Sequence, residues 1–297
     1  MPERSGTEYA LILRRPNAKS HRMKLFVINL AHRRDRRAAM TARLLSLKLP
    51  FEIVTALDAA VVSKDWITRH FTASGPLGRL SKGDQCCSLS HRKAWFTFLA
   101  HGAPYAAFLE DDVVLDSATT ELLNDLSWLP PNCDVVKLEH FGPPSQRVLV
   151  GERHAIGGGR SLAPILSRHT GAAAYILSRR AAVALLAAER WDVPVDHMLF
   201  NPNVSVLATE LKPYQLWPAI ARQADGGASD IKAWRIAGNA FSLSLIKREI
   251  IRAYYELRLV PRQILQVLSG RAELVCVASN LAAPECFASP APTLIRQ

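Results

Sequence analysis

The feature that most constrains this chain is a strand–helix–strand succession near its start. Met23 opens MKLFVINL, an almost unbroken apolar run of the kind that forms a strand buried on both faces. In the following segment, AHRRDRRAAMTARLLSLKL, the residues Met40, Leu44 and Leu47 share one helical face. Pro50 ends that helix, and FEIVTAL reads as a second strand. Strand, helix and strand within roughly 35 residues make a βαβ unit. Such a unit implies a parallel sheet, with ligands gathered at the carboxyl ends of its strands.

The rest of the chain continues the alternation. Residues 59–80 are irregular. Ser81-Lys82-Gly83-Asp84 forms a capping-box pattern ahead of the helix CCSLSHRKAWFTFLAH, which stops at Gly102. Strands are expected at Tyr105–Leu109, Asp134–Leu138 and Ala172–Leu177, with short ones at Val204–Ala208 and Tyr214–Trp217. Gly151–Arg160, with three consecutive glycines, reads as a mobile loop. Ser178 caps a helix over RRAAVALLAAERW, and from about Ala240 the pattern is helical and basic. Three parts follow: a basic leader over 1–22 expected to be disordered, with Met23 as an alternative start; a main domain over 23–240; and a helical extension over 241–297.

Composition narrows the class. A chain of 297 residues that is 49% hydrophobic buries a sizeable core. No apolar run reaches the roughly 20 residues that span a bilayer, and Tyr9–Leu13 is too short for a signal-peptide core. Five cysteines, two of them adjacent at Cys86 and Cys87, make a poor disulfide framework and show no paired zinc spacing. The expected location is cytoplasmic. The formal charge of +11 favours anionic partners. The basic residues lack the aromatic interleaving of single-strand binders, so nucleic acid is not expected.

The chemistry centres on YAAFLEDDVVL, where an apolar run ends in Glu110, Asp111 and Asp112. Three like charges at a strand end repel one another unless a cation offsets them, and oxygen ligands suit Mg²⁺ or Mn²⁺. On a continuing strand Glu110 and Asp112 face one way and Asp111 the other; if the chain turns at Asp111, the middle acid becomes a candidate ligand. Asp84, Cys87 and His91 fall on one face of the capped helix. The Arg33-Arg34-Asp35-Arg36-Arg37 run lies where a βα loop meets its ligand, and guanidinium groups pair well with diphosphate. Asp196, in Pro194-Val195-Asp196-His197, is either a general base or a helix cap. Asp230, after Gly226-Gly227, is a rival base or a plain turn residue.

In this order the segments resemble glycosyltransferase family 25, which includes bacterial lipooligosaccharide galactosyltransferases and procollagen galactosyltransferases. The resemblance runs from about Lys24 to Ile231. It rests on FVINL with its arginine-rich helix, LPFEIVTALDA, LSKGDQCCSLSHRKAW, YAAFLEDDVVL, TGAAAYILSRRAA, PVDHMLF and SDI. It implies an α/β, GT-A-like nucleotide-sugar-binding fold, with a mixed, mostly parallel sheet and a C-terminal helical extension. It implies metal-assisted, inverting transfer of a hexose, galactose above all, from a UDP-sugar to a hydroxyl of a lipooligosaccharide, lipopolysaccharide or other glycan. The implied metal ligands are Asp112 and Glu110, for Mn²⁺ or Mg²⁺. The implied donor-binding residues are Arg33, Arg36, Arg37, Asp58, Ser90, His91, Glu110 and Asp111; the base is Asp196 or Asp230. Cys86 stands where the family usually has glycine, Asp84 where it usually has glutamate, and TGAAAY lacks a second glycine. These departures keep in view a non-catalytic relative that binds nucleotide-sugar or glycan, and the acidic cluster by itself suits another metal-dependent phosphate-handling enzyme as well.

Phe241–Gln297 carries seven Lys and Arg against four Glu, with Leu243, Ile246, Ile250 and Ile251 interleaved. That pattern suits a peripheral hold on the inner membrane, where lipid-linked acceptors reside, or a helix packed on the main domain.

Overall fold

The computed structural model describes residues 23–143, 145–224, 243–279 and 281. The expected leader and the late segment containing Asp230 lie outside the described residues.

The N-terminal βαβ unit forms as the sequence predicts. Strand β1 (Lys24–Asn29) leads to helix α1 (Arg34–Ser46) and strand β2 (Glu52–Thr55), with β1 and β2 parallel in register. A short helix α2 (Lys64–Thr68) precedes the long helix α3 (Lys82–Ala100). Ser81 caps α3: its Oγ accepts from Asp84 N at 3.1 Å and donates to Asp84 Oδ2 at 2.7 Å. Strand β3 (Tyr105–Glu110) then runs parallel to β1 on the side away from β2.

After β3 come β4 (Val113–Leu115), α4 (Thr119–Asn124), β5 (Val135–Lys137), β6 (Glu139–His140), β7 (Arg147–Gly151), β8 (His154–Gly157), β9 (Arg160–Pro164) and β10 (Ala174–Ser178). Helices α5 (Arg179–Ala187), α6 (Val195–Phe200) and α7 (Val206–Leu211) precede β11 (Tyr214–Trp217) and β12 (Ala221–Gln223). Eight strands make one mixed sheet in the order β2-β1-β3-β10-β5-β11-β9-β8. The mixed α/β class stands, but the parallel weighting is local: three pairings are parallel (β1 with β2 and β3, β5 with β11) and four are antiparallel. The strand β10 enters from an irregular connection after β9 rather than from a crossover helix, so it is free to run against both β3 and β5.

Two local expectations are corrected. The glycine-rich Gly151–Arg160 segment is not a loose loop. It builds the β8–β9 hairpin, with Gly158 (φ +57°) and Gly159 (φ +69°) taking the turn that only glycine adopts readily. Val204–Ala208 is not a strand: Ser205 Oγ accepts from Ala208 N at 3.0 Å and starts α7, so the cap outweighs the β-branched valines.

The central strands β1, β3, β10 and β5 are buried on both faces of the sheet, which explains their continuous apolar runs. Phe26, Ile28, Phe108 and Tyr175 face one core under α3, where Trp95 and Phe98 pack. Leu25, Val27, Leu109 and Ile176 face the other, under Met40 and Leu44 of α1. Within the first core the Phe26 and Phe108 rings stack at 5.5 Å, and Phe108 and Tyr175 at 5.3 Å, so three neighbouring strands carry one aromatic row.

The extension comprises α8 (Leu243–Leu257), α9 (Val260–Leu268) and β13 (Ala272–Cys276). β13 pairs antiparallel with β7, and Val275 and Val277 enter the α3-side core. Asn203 Nδ2 donates to Glu256 Oε2 at 2.8 Å, and Gln263 Nε2 donates to Leu166 O at 2.9 Å.

Gly171, just ahead of β10, sits at φ +84°, and a Cβ there would lie 2.5 Å from the Phe141 ring. Gly171→Ala is therefore expected to destabilise the protein by roughly 2–4 kcal/mol through strain and overpacking, read as a lowered midpoint in urea unfolding.

Candidate active site

The chain leaves β1 in one direction, through α1 to β2, and returns through α3 to β3 on the opposite side. This reversal opens a crevice at the carboxyl ends of β1 and β3, the place where open α/β sheets take ligands. Asn29 closes β1 and Glu110 closes β3. The strand does not continue through the acidic cluster: Asp111 and Asp112 form a turn before β4. Glu110 and Asp112 are thus not alternate residues of one strand, and the acids separate into two directions.

Asp111 and Asp112 turn toward α1. Arg36 Nη1 donates to Asp111 Oδ1 at 3.2 Å and to Asp112 Oδ2 at 3.1 Å, and Asn29 Nδ2 donates to Asp111 Oδ2 at 2.6 Å. Burial raises the Asp111 carboxyl against the opposing pull of Asn29 and Arg36. Burial and the neighbouring Glu110 push Asp112 up to about 7. Asp112 Oδ1 is buried and has no hydrogen-bond partner among the described residues.

Glu110 turns instead toward α3. Its Oε1 accepts from His91 Nε2 at 3.2 Å and from Cys87 Sγ at 3.7 Å, and its Oε2 accepts from Gln223 Nε2 at 3.2 Å. Burial acts to raise its carboxyl, but the contacts from His91 and Cys87 outweigh it and hold Glu110 below the ordinary value. The polarity of the chain behind it follows from donor chemistry. Trp95 Nε1, a donor only, gives its hydrogen to the Tyr175 hydroxyl at 2.9 Å. Tyr175 passes its own proton to His91 Nδ1 at 2.7 Å, which leaves His91 Nε2–H aimed at Glu110. This assigns the tautomer from the network.

Beneath the crevice lies a pair that the sequence reading took for ordinary strand. Lys137 and Glu139 are both fully buried, and Lys137 Nζ donates to Glu139 Oε1 at 2.7 Å and to Gly171 O. Burial lowers Lys137 and raises Glu139. Glu139 Oε2 has no partner among the described residues. A lysine and a glutamate inside the apolar DVVKLE run were the available signal, since such residues are almost never fully buried unless paired.

Of the other expected site residues, Asp196 belongs here. It sits in the first turn of α6, accepts from Gly171 N at 3.3 Å and from His197 N at 2.8 Å, and its charge reaches Glu110, Cys87 and Lys137. Ser90 is buried and structural, donating to Cys86 O at 2.7 Å and accepting from Leu57 N at 2.8 Å. His91 is buried as well, and both its ring nitrogens are engaged. Asp58 accepts from Ala60 N and lies 3.1 Å from His32 Nδ1, on the loop that Ser90 ties down. Arg33 pairs with Asp35 at 2.9 Å, and Arg37 is exposed. Asp230 lies outside the described residues.

The resemblance implies a divalent cation, and the residues fit one. Glu110, Asp111, Asp112, Glu139 and Asp196 share one electrostatic neighbourhood with Arg36 and Lys137. The unpartnered Asp112 Oδ1 offers a hard oxygen ligand. A second donor set of different chemistry is Cys87, His91 and Glu110, whose ligand atoms all lie within 4.8 Å of one another.

Residues 23–199 match the family profile described as "Glycosyltransferase family 25 (LPS biosynthesis protein)". The chain is 32% identical over 194 residues to "Lacto-N-neotetraose biosynthesis glycosyltransferase LgtB" of Neisseria gonorrhoeae, covering 61% of this chain and 68% of that protein. It is 30% identical over 213 residues to "Lacto-N-neotetraose biosynthesis glycosyltransferase LgtE" of Neisseria meningitidis serogroup B, covering 68% and 74%. To "Lipooligosaccharide biosynthesis protein lic2B" of Haemophilus influenzae it is 25% identical over 203 residues, covering 67% and 75%.

A raised carboxyl pKa has a definite sign in stability. Folded protein retains a proton at Asp112 that the unfolded chain releases near the ordinary 3.8, so stability falls as pH rises from about 4 to about 7 and stays reduced above. In chelated protein, Asp112→Asn is expected to match wild type near pH 4 and to exceed it at pH 8 by on the order of 2–4 kcal/mol. Unfolding curves across pH check this, and added divalent cation should narrow the gap.

Proposed function

Because the chain belongs to glycosyltransferase family 25, we propose that it transfers a hexose, galactose first among candidates, from a UDP-sugar to a sugar hydroxyl of a lipooligosaccharide or related glycan. The observation that carries this reading is the acidic turn Glu110–Asp112, set at the switch-point crevice with a buried carboxylate oxygen left over at Asp112. The names of the Neisseria and Haemophilus relatives support the acceptor class.

In this reading Asp112, with Asp111 or Glu110 beside it, holds Mn²⁺ or Mg²⁺. Bound there, the cation offsets the charge that develops on the departing UDP. Arg36, already bridging Asp111 and Asp112, is placed to share that load, as is Arg33 on the same segment. Asn29 fixes the orientation of Asp111. Asp196 takes the proton of the acceptor hydroxyl as the hydroxyl attacks the anomeric carbon from the face opposite UDP, which gives inversion. Its two backbone hydrogen bonds, from Gly171 and His197, hold the carboxylate for that role. Asp230 remains the rival base. Lys137 and Glu139 support the floor through Gly171 O and Ala173 N.

The same reading places the protein at the cytoplasmic face of the inner membrane, with α8 and α9 against the lipid. Among the described residues no helix is long and apolar enough to cross a membrane. Of the eleven exposed large apolar side chains among the described residues, eight nevertheless fall between Ile250 and Leu274, among them Tyr254, Leu257, Leu265 and Leu268. Exposed Arg258, Arg262 and Arg271 lie among them. Apolar groups with interleaved bases suit an anionic lipid surface.

Three outcomes are expected. Purified protein given UDP-galactose, Mn²⁺ and a sugar acceptor releases UDP and lengthens the acceptor by one hexose; release of phosphate or pyrophosphate instead would favour another phosphate-handling enzyme. Asp196→Asn lowers kcat by about 100-fold or more with donor KM little changed; unchanged turnover moves the base elsewhere. The double variant Leu265→Asp, Leu268→Asp keeps turnover on a soluble acceptor but sediments at least about tenfold less with anionic vesicles; undiminished sedimentation removes the membrane contact.

A further inference from the structure

Two protons converge on one oxygen beside the crevice. Cys87 Sγ and His91 Nε2 both approach Glu110 Oε1, at 3.7 and 3.2 Å. The first two residues are one turn apart on α3, and the third closes β3. Ligand atoms around a tetrahedral Zn²⁺, with bonds of about 2.0–2.3 Å, stand roughly 3.3–3.7 Å from each other. These two separations are of that size, and all three ligand atoms lie within 4.8 Å of one another, so a cation that replaces the hydrogens has only the sulfur–nitrogen gap to close.

We propose that Cys87, His91 and Glu110 form a binding site for a thiophilic divalent cation of the Zn²⁺ class, distinct in chemistry from the oxygen ligands at Asp112. The donor set decides the class: sulfur and imidazole with one carboxylate suit Zn²⁺ and Co²⁺, whereas Mg²⁺ and Mn²⁺ prefer oxygen. A shell for the imidazole is already in place. When Nε2 takes the metal, the ring proton moves to Nδ1 and the contact reverses: the Tyr175 hydroxyl, 2.7 Å away, turns its own hydrogen aside and accepts from Nδ1. Charge favours occupation as well, because Zn²⁺ with one thiolate and one carboxylate is neutral overall. It also faces the negative charges of Asp196 and Asp84, which act on Cys87. The step balances: Cys87 releases one proton to solvent, the histidine proton stays on the ring, and bonds form from sulfur, nitrogen and oxygen to the metal. The fourth position is left for water.

The site stands or falls by metal binding, independently of the donor assigned above. One consequence does rest on that reading: Zn²⁺ held by Glu110 should slow the transfer that Mn²⁺ supports.

The test uses the whole 297-residue chain with Cys276→Ser and Cys286→Ser, which removes two thiols that are not among the three proposed donors. On Co²⁺ titration a thiolate-to-cobalt charge-transfer band and tetrahedral d–d bands should saturate at one equivalent of the thiolate-bound ion, and Zn²⁺ should abolish them. Cys87→Ala should remove the charge-transfer band and weaken Zn²⁺ binding at least about tenfold, while Asp112→Asn leaves the band in place. X-ray absorption of the Zn²⁺-loaded protein, which needs no change at Cys87, should show one sulfur and one imidazole. A shell of oxygen alone, a charge-transfer band that survives Cys87→Ala, or no cobalt band at all would overturn the site. No UDP release by Zn²⁺-free, Mn²⁺-supplied protein, in a preparation that gives the cobalt bands on loading, would count against the donor reading and leave the metal site standing.

Discussion

One guanidinium organises the crevice. Arg36 Nη1 reaches both Asp111 and Asp112 from α1, and so clamps the turn that follows β3 to the helix that follows β1. Two buried carboxylates could not sit side by side at the end of an apolar strand without such a partner. The clamp also decides what is left over. It takes Asp112 Oδ2 and leaves Asp112 Oδ1 unpartnered, and by turning these two acids toward α1 it leaves Glu110 alone against α3. The acidic cluster therefore acts as two sites back to back, one of bare oxygen and one ringed by donors.

A second set of buried polar groups supports the first from below. Lys137 ties β5 to the Gly171 backbone, Glu139 accepts from Ala173 N, and Asp196 accepts from Gly171 N. All three converge on the segment that leads into β10, the strand that runs against its neighbours. The entry to that strand is thus fixed by charge-assisted hydrogen bonds, and the close contact between Gly171 and Phe141 leaves no room for a larger residue.

Much of this was legible in the chain. The β1–α1–β2 unit, the Ser81 cap and the Met40 and Leu44 face of α1 all follow from local periodicity and turn chemistry. The acidic cluster stood out as three charges ending an apolar run, and Asp196 as an acid beside a histidine after a proline-set turn. What local patterns did not carry was direction. Nothing within Ala174–Ser178 says that the strand runs antiparallel, because strand polarity is set by the connection and not by side-chain alternation. Likewise, the reading of Glu110 and Asp112 as one face assumed a strand that continues, and the chain turns one residue after Glu110. The family resemblance implies donor-binding roles for Ser90 and His91; in the structure both are buried, with hydrogen bonds to Leu57, Cys86, Tyr175 and Glu110. Lys137 and Glu139 were passed over because their strand reads as uniformly apolar apart from them.

The aromatic row of Phe26, Phe108 and Tyr175 has a consequence of its own. The three rings lie on adjacent strands, fully enclosed beneath α3, and the last one donates to the histidine that holds Glu110. A flip of any of them about its Cβ–Cγ axis needs transient free volume that a close-packed interior does not hold at rest, and α3 is the layer packed over the rings. Phenylalanine ring-flip rates in this row, visible as line shapes in magnetic resonance, therefore act as a clock for the separation of α3 from the sheet. The same opening would release His91 from Glu110, so the slowest ring marks how long the crevice keeps its shape.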